Sequence, residues 1–467
     1  MKKKKTIENL LIAGVADKGM CVGRTDENEV VFVEGVVPGD VVDVLILRKR
    51  KNYSQGIAQN FKSFSKDRTK VFCKHFWECG GCKWQHMSYT AQCKYKWQIV
   101  ADAMFRIGRQ QEIEIKPLIP APTSKHYRNK LEFSFSDKRW LTKEEVASSE
   151  DIQHGPALGF HKPGYFDKIL DIQECFLMDH KQNDIRNFVR EYTLKNGYSY
   201  YNQRSHKGLM RNLIIRNTTL GEWMVTIAFG HREDDKIFEL LDAIKNKFDF
   251  ITSLNYVVNE KVNDTIMDQN IINHSGREYI IEQLGKIKYR IGLKSFFQTN
   301  THQAKTLYDV VVDFADLDGT ENVYDLYTGL GSIALYVAER ARSVTGIEEI
   351  PEAIEDAWIN AEFNNIKNVN FYAGDVKNIL NDEFKERHGR ADVIITDPPR
   401  SGMHEDVVNT LLQFEAPKIV YVSCNPATQA RDLLMLSEKY QVVKIQPVDM
   451  FPQTHHIENV ALLKLKK

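Results

Sequence analysis

No apolar run in this chain approaches the roughly 20 residues that a membrane span needs, so a membrane-spanning reading is excluded. The opening Met1-Lys-Lys-Lys-Lys-Thr-Ile-Glu has no apolar core of the signal-peptide kind. Export is therefore not expected, and the cytoplasm is the expected compartment. Cysteine is scarce, with seven residues at 21, 73, 79, 82, 93, 175 and 424. The count is odd and three of them crowd together, which argues against a disulfide framework and toward metal binding or catalysis. Net charge is also missing, since Lys+Arg and Asp+Glu are both 63. That balance does not exclude nucleic acid, because binding follows local patches. Internal repeats and Pro/Gly/Ser-rich linkers are absent too. What remains is an ordinary soluble composition, 42% hydrophobic and 27% charged over 467 residues. At about 100–200 residues per domain, two to four domains are expected.

Changes of pattern mark the boundaries. Up to about residue 60 the chain reads as short strands, including Val30-Val-Phe-Val and Val41-Val-Asp-Val-Leu-Ile-Leu around a Pro38-Gly-Asp turn. Several such strands predict a small OB-like β-barrel. Residues 61–100 read as irregular and basic. From 48 to 70 there are eight Lys/Arg against one Asp, with Tyr53, Phe61 and Phe64 among them, a pattern suited to gripping RNA. Residues 120–290 read as α+β, with paired strands at Met210–Arg216 and Trp223–Phe229. After about 300, strands alternate with helices, which predicts a doubly wound, mostly parallel sheet whose last two strands pair antiparallel.

Chemistry-bearing residues gather at predicted strand ends. Asp325-Leu-Tyr-Thr-Gly-Leu-Gly-Ser is a strand–turn–helix junction where glycines let the backbone approach a ligand. Glu348 ends the next strand and suits a ribose. At that point nicotinamide and S-adenosylmethionine both remain open. Asp397-Pro-Pro-Arg-Ser-Gly follows the fourth strand and shifts the reading toward S-adenosylmethionine. Cys424, in Tyr421-Val-Ser-Cys-Asn-Pro, ends the fifth, beside a helix N-terminus expected to favour a thiolate. Glu458 precedes the last strand as a candidate proton acceptor. Cys73, Cys79 and Cys82, with distant Cys175, offer four thiolates for a 4Fe–4S cluster or zinc, and the spacing puts iron–sulfur first.

Taken together, these residues resemble the RNA uracil-5-methyltransferase family, specifically its iron–sulfur branch acting on 23S ribosomal RNA. The resemblance covers nearly the whole chain. It implies a TRAM-like RNA-binding barrel over 1–61, a central iron–sulfur and RNA-binding domain over 62–290, and a Rossmann-like class I methyltransferase domain over 291–467. It also implies cluster ligands at Cys73, Cys79, Cys82 and Cys175. Cofactor contacts are implied at Gln298 (in Ser295-Phe-Phe-Gln-Thr-Asn), Tyr327, Glu348, Asp397 and Asp375, with Cys424 as nucleophile and Glu458 as base. Ser332 departs from the asparagine that family members often carry there. The segment near 90–118 is expected to pack on the catalytic domain.

The expected reaction is methyl transfer from S-adenosylmethionine to C5 of a uridine in RNA, by an enzyme acting as a monomer. Thiolate addition at C6 makes C5 nucleophilic, a base then removes the C5 proton, and the uridine must flip from its stack. The rivals are an iron–sulfur or zinc RNA-binding scaffold without activity, and an amino-methyltransferase that needs no nucleophilic cysteine.

Overall fold

The computed structural model describes residues 5–148 and 154–467. The chain's first four residues, part of the expected barrel segment, lie outside it. Five strands close a barrel: β1 (Thr6–Val15), β2 (Cys21–Arg24), β3 (Val30–Glu34), β4 (Val41–Lys49) and β5 (Tyr53–Ser63), in the order β1-β2-β3-β5-β4. Their inward residues, among them Leu10, Val31, Val33, Val42 and Val44, alternate with exposed ones and form a core of their own. Cys21 lies in that core, its thiol donating to the Val36 carbonyl at 3.1 Å.

The stretch expected to be irregular to residue 100 instead contains an 18-residue helix, α1 (Tyr89–Arg106). Ser88 caps it, accepting from the Ala91 N–H at 3.4 Å. Gln92 and Lys96 point inward on this helix, which disguises its buried face in sequence. The helix packs through Val100, Ala103 and Met104 onto the C-terminal α/β unit, and β6 (Glu114–Ile115) adds to the edge of that unit's sheet.

The central unit is a seven-stranded sheet. It is built from β7 (Lys130–Ser136), β8 (Ala157–His161), β9 (Ile169–Asp171), β10 (Met210–Asn217), β11 (Trp223–Phe229), β12 (Ile251–Val258) and β13 (Ile272–Gly276). Its order is β13-β12-β11-β10-β7-β8-β9. The β10–β11 hairpin forms around the Thr218–Gly221 turn as predicted. A short helix, α2 (Lys143–Ala147), follows β7, and α3 (Lys181–Lys195) and α4 (Asp234–Lys247) close the sheet's core through Ile185, Val189, Leu240 and Ile244. A two-stranded hairpin, β14 (Ile280–Leu284) with β15 (Ile287–Ile291), then packs into the core of the C-terminal α/β unit, so the expected division at 290/291 falls inside β15.

The C-terminal α/β unit continues with α5 (Thr301–Ala315), β16 (Asn322–Leu326), α6 (Ser332–Ala338), β17 (Ser343–Glu348), α7 (Pro351–Phe363) and β18 (Val369–Ala373). It ends with α8 (Val376–Ile379), α9 (Asp382–His388), β19 (Val393–Thr396), α10 (Glu405–Phe414), β20 (Lys418–Ser423), α11 (Pro426–Leu436), β21 (Tyr440–Val448) and β22 (Glu458–Leu465). The sheet order is β18-β17-β16-β19-β20-β22-β21-β6. The first five strands are parallel and β22 runs antiparallel to both β20 and β21. Strand β19 is buried on both faces and reads as an apolar run, while β16 is equally buried yet carries Asn322 and Asp325 among its apolar residues. The order reverses between β16 and β19, so a crevice opens at their carboxyl ends.

Candidate active site

The turn after β16 is unusual backbone. Tyr327 (φ 64°), Gly329 (φ 55°) and Gly331 (φ 82°) all lie in the left-handed region. At Gly331 a Cβ would also stand 3.2 Å from Ala357 and Phe371, so only glycine lets α6 start there. Asp325 is fully buried, and its Oδ2 accepts from the Thr328 hydroxyl at 2.6 Å and the Ala334 N–H at 3.0 Å. Its Oδ1 has no partner. Burial first, then the nearby Glu348 charge, push its carboxyl up to about 7.

Glu348 ends β17 with its Oε2 accepting from the Gly329 N–H at 3.1 Å and its Oε1 from the Ile350 N–H at 3.1 Å. Each oxygen retains acceptor capacity for a ribose hydroxyl. The Tyr327 phenol is pushed up to about 12, mainly by burial, and feels the charges of Asp375 and Glu348, so these three predicted residues share one neighbourhood. Asp375 caps α8, accepting from the Lys377 N–H at 3.1 Å. Gln298 is buried in the segment leading to α5, where its main-chain carbonyl accepts from Asn129 Nδ2 at 3.0 Å. Ser332 receives the Tyr308 hydroxyl at 3.0 Å. An orphaned carboxylate oxygen, a half-satisfied glutamate and open space beside Gly329 together fit a polar nucleoside cofactor such as S-adenosylmethionine.

Three neighbouring strands bring the reactive groups together. Asp397 follows β19, Cys424 follows β20, and Glu458 opens β22, which reaches the same sheet end because it runs antiparallel (Ser423 pairs with Asn459). Asp397 is raised to about 7 by burial and then by Asp325. It keeps part of its surface open, but the cleft strips most water from its carboxyl. Glu458 is buried, and desolvation with Asp397 beside it pushes its carboxyl well above the ordinary range.

The cysteine departs from expectation. Burial and the charges of Glu458 and Asp397 push the Cys424 thiol up to about 11, outweighing the helix terminus that was expected to favour a thiolate. Arg400 pulls it down. Arg400 lies in the Asp397-Pro-Pro-Arg motif, and its place in that loop was the signal from which it was readable. Its carbonyl accepts from Asn425 Nδ2 at 3.0 Å and Thr428 Oγ1 at 3.2 Å, clamping the loop onto the turn that carries Cys424.

A cavity of about 830 Å³ opens between the central sheet, the cysteine segment and the catalytic domain. Cys73, Cys79, Cys82 and Cys175 line it together with Arg128, Lys130, Arg216, Phe296, Arg400 and His456. The basic residues of its wall are a feature that sequence reading missed, being spread over β7, β10 and two loops. Cys424 and Glu458 do not line it, and Arg400, which faces both the cavity and the Cys424 sulfur, joins the two spaces.

Burial pushes the Cys79 and Cys82 thiols up to about 12 and Cys175 to about 11, and raises Cys73. Cys79 feels Cys175 and Cys73 as unfavourable charge, and Cys82 feels these two and Cys79. Among the described residues, no group of three or more Cys, His, Asp or Glu forms a ready site for a metal ion. A cubane cluster sits between its sulfurs and spaces them wider than a single ion does. Cys73, Cys79, Cys82 and Cys175, partly buried on one cavity wall, offer the four soft sulfur ligands of that donor set. Cys93 stands apart, near Tyr89 and Asp449.

The basic segment of the barrel also has an internal role. Phe61 and Phe64 stack at 5.1 Å, and Arg68 lies 4.7 Å from the Phe61 ring centre while pairing with buried Asp40 at 2.7 Å.

Comparison with known proteins agrees with this geometry. Residues 204–466 match the family described as tRNA (Uracil-5-)-methyltransferase, and residues 2–58 match the TRAM domain. An uncharacterized RNA methyltransferase of Bacteroides thetaiotaomicron is 50% identical, over 97% of this chain and 100% of its own. One from Porphyromonas gingivalis is also 50% identical, over 97% and 98%. Among solved structures, the Pyrococcus abyssi tRNA (uracil-54, C5)-methyltransferase in complex with S-adenosyl-L-homocysteine superposes with a TM-score of 0.74 at 28% identity, covering 97% of this chain and 99% of that one. No helix among the described residues is long and apolar enough to cross a membrane.

Proposed function

The chain belongs to the RNA uracil-5-methyltransferase family, and from that premise we propose that it methylates C5 of a uridine in 23S ribosomal RNA through a covalent Cys424 adduct. The observation that carries the reading is the meeting of Cys424, Asp397 and Glu458 at the ends of three adjacent strands. A scaffold without activity has no use for a buried acid pair around a thiol. An amino-methyltransferase has no use for the thiol itself.

The residues divide the work. Glu348 holds the cofactor ribose, while Tyr327, Asp375 and Gln298 line its site. Asp397 orients the uracil or the cofactor's reactive end. Arg400 supplies the positive charge that lets Cys424 lose its proton. The sulfur bonds to C6, and the C5–C6 electron pair moves toward O4 as an enolate. S-adenosylmethionine, when bound, supplies an electrophilic methyl carbon within reach of C5. Glu458 then takes the C5 proton, the C5–H electron pair rebuilds the C5–C6 double bond, and the C6–S bond breaks to free Cys424 as its thiolate. A carboxyl raised by burial is a stronger base once ionised than one in water. The target base leaves its stack through the basic cavity.

The four cysteines are read as ligands of a 4Fe–4S cluster that ties residues 73–82 to Cys175. Its role is structural, because no step above moves an electron. The same reading has the enzyme act as a monomer in the cytoplasm. The likeness to an enzyme named for transfer RNA favours a second substrate reading. Mass-spectrometric mapping of 5-methyluridine in RNA from cells with and without the gene decides between them. Loss of one or more 23S sites supports the proposal. Loss confined to transfer RNA replaces the substrate, and no loss in either contradicts the reading.

A further inference from the structure

Arg400 is an exposed, long side chain on the loop that Asn425 and Thr428 clamp beside Cys424, its positive charge favours the thiolate, and a contact to His456 fixes it. Its Nη2 donates to the His456 ring at Nδ1, 2.7 Å away, and lies 3.3 Å from Nε2. We propose that His456 is a positioning residue that holds the Arg400 guanidinium beside Cys424 and thereby sets how readily the nucleophile ionises. The proposal rests on the reading of Cys424 as nucleophile.

Arginine only donates, so His456 serves as its acceptor only while the ring is neutral. The surroundings keep it so. Burial and the positive charges of His455, Arg400, Lys96 and Arg128 push its ring down to about 3. The ring is itself held in place. It lies tilted against the His455 ring at 4.1 Å and meets the edge of Phe451 at 6.3 Å, and its main-chain N–H donates to Thr454 Oγ1 at 3.2 Å. Around Cys424, Glu458 and Asp397 oppose the thiolate, and Arg400 favours it. Without the acceptor, an exposed arginine samples many rotamers, and the thiol faces two carboxyls with its counter-charge away for much of the time. His456 lies two residues before Glu458, so the strand that delivers the base also delivers the group that steadies the nucleophile's cation.

The test is the pH dependence of Cys424 alkylation by iodoacetamide, read by mass spectrometry on the Cys424 peptide in RNA-free protein. An opposite charge this close shifts an ionisation by about 1–3 pH units. Arg400→Ala and His456→Ala should each raise the midpoint by about one unit, which is about a tenfold slower reaction at pH 8. The double variant should go no further than Arg400→Ala alone. His456→Gln keeps an acceptor oxygen and should restore most of the wild-type profile. His456→Leu keeps bulk without an acceptor and makes the same prediction as His456→Ala if the latter does not fold. A wild-type profile in the His456→Ala and His456→Leu variants, or a further rise in the double variant, overturns the proposal. Crosslinking of wild type to 5-fluorouridine RNA is scored separately. Its absence removes the nucleophile reading, while the alkylation profiles still judge the pairing.

Discussion

Replacing Asp397 with asparagine should stabilise the protein while abolishing its activity, and the gain should grow with pH. Burial and Asp325 move the Asp397 carboxyl from 3.8 to about 7. Between those values the folded state binds a proton that the unfolded chain has released, so stability falls as pH rises through that window. Each pH unit corresponds to about 1.4 kcal/mol, so the roughly 3-unit displacement sets a ceiling of about 4 kcal/mol above pH 7. Water in the open part of the cleft and local relaxation bring that to about 2 kcal/mol. Asparagine keeps the shape and carries no charge, so it escapes the loss. Equilibrium urea unfolding of cofactor-free protein should show a gain below about 1 kcal/mol at pH 5 and about 2 kcal/mol at pH 8. Asp325 titrates in concert with Asp397, so part of the gain reports relief of Asp325. Equal gains at both pH values, or a loss at pH 8, would refute the argument that this carboxyl is held protonated by its burial.

Other consequences follow from the same geometry. Glu348→Ala should weaken S-adenosylmethionine binding by about 1.5–3 kcal/mol in calorimetry, as expected for a charge-assisted hydrogen bond. Anaerobically purified protein should be brown with roughly four irons per chain, and Cys175→Ser should lose the colour while Cys93→Ser keeps it; stoichiometric zinc without iron would contradict this. Lys96, fully buried on α1, pairs with buried Asp449 at 2.6 Å. Lys96→Met should cost about 3–5 kcal/mol in urea unfolding by stranding that carboxylate.

What was legible in the sequence follows from where the information lies. Parallel strands buried on both faces carry their signal locally, so β16, β17, β19 and β20 were readable within a residue or two. The same holds for the antiparallel end of the sheet, where two strands follow each other without a helix between them. Helix α1 was not readable, because its buried face includes Gln92 and Lys96, whose partners Gln453 and Asp449 are about 350 residues away in sequence. The β14–β15 hairpin looks like a continuation of the central domain, yet its apolar side packs under α5 and α6. Motif reading named the residues at the strand ends, but not their ionisation. Whether a thiol at a helix start is a thiolate depends on Asp397 and Glu458 arriving from other strands, and burial with those two charges decides it. Arg400 shows the same limit, since its role exists only once the loop folds over Cys424.

The most direct test of the account is the covalent adduct. RNA carrying 5-fluorouridine at the target should trap wild-type enzyme in the presence of S-adenosylmethionine, because fluorine cannot leave C5 as a cation. The trapped complex should appear as a shifted band on a denaturing gel. Glu458→Gln should accumulate the same adduct on ordinary RNA, since addition and methylation proceed while proton removal stalls. Cys424→Ala, alone or combined with Glu458→Gln, should give no adduct and no methylation. Turnover by Cys424→Ala, or wild type that never crosslinks to fluorinated RNA, would contradict the covalent mechanism.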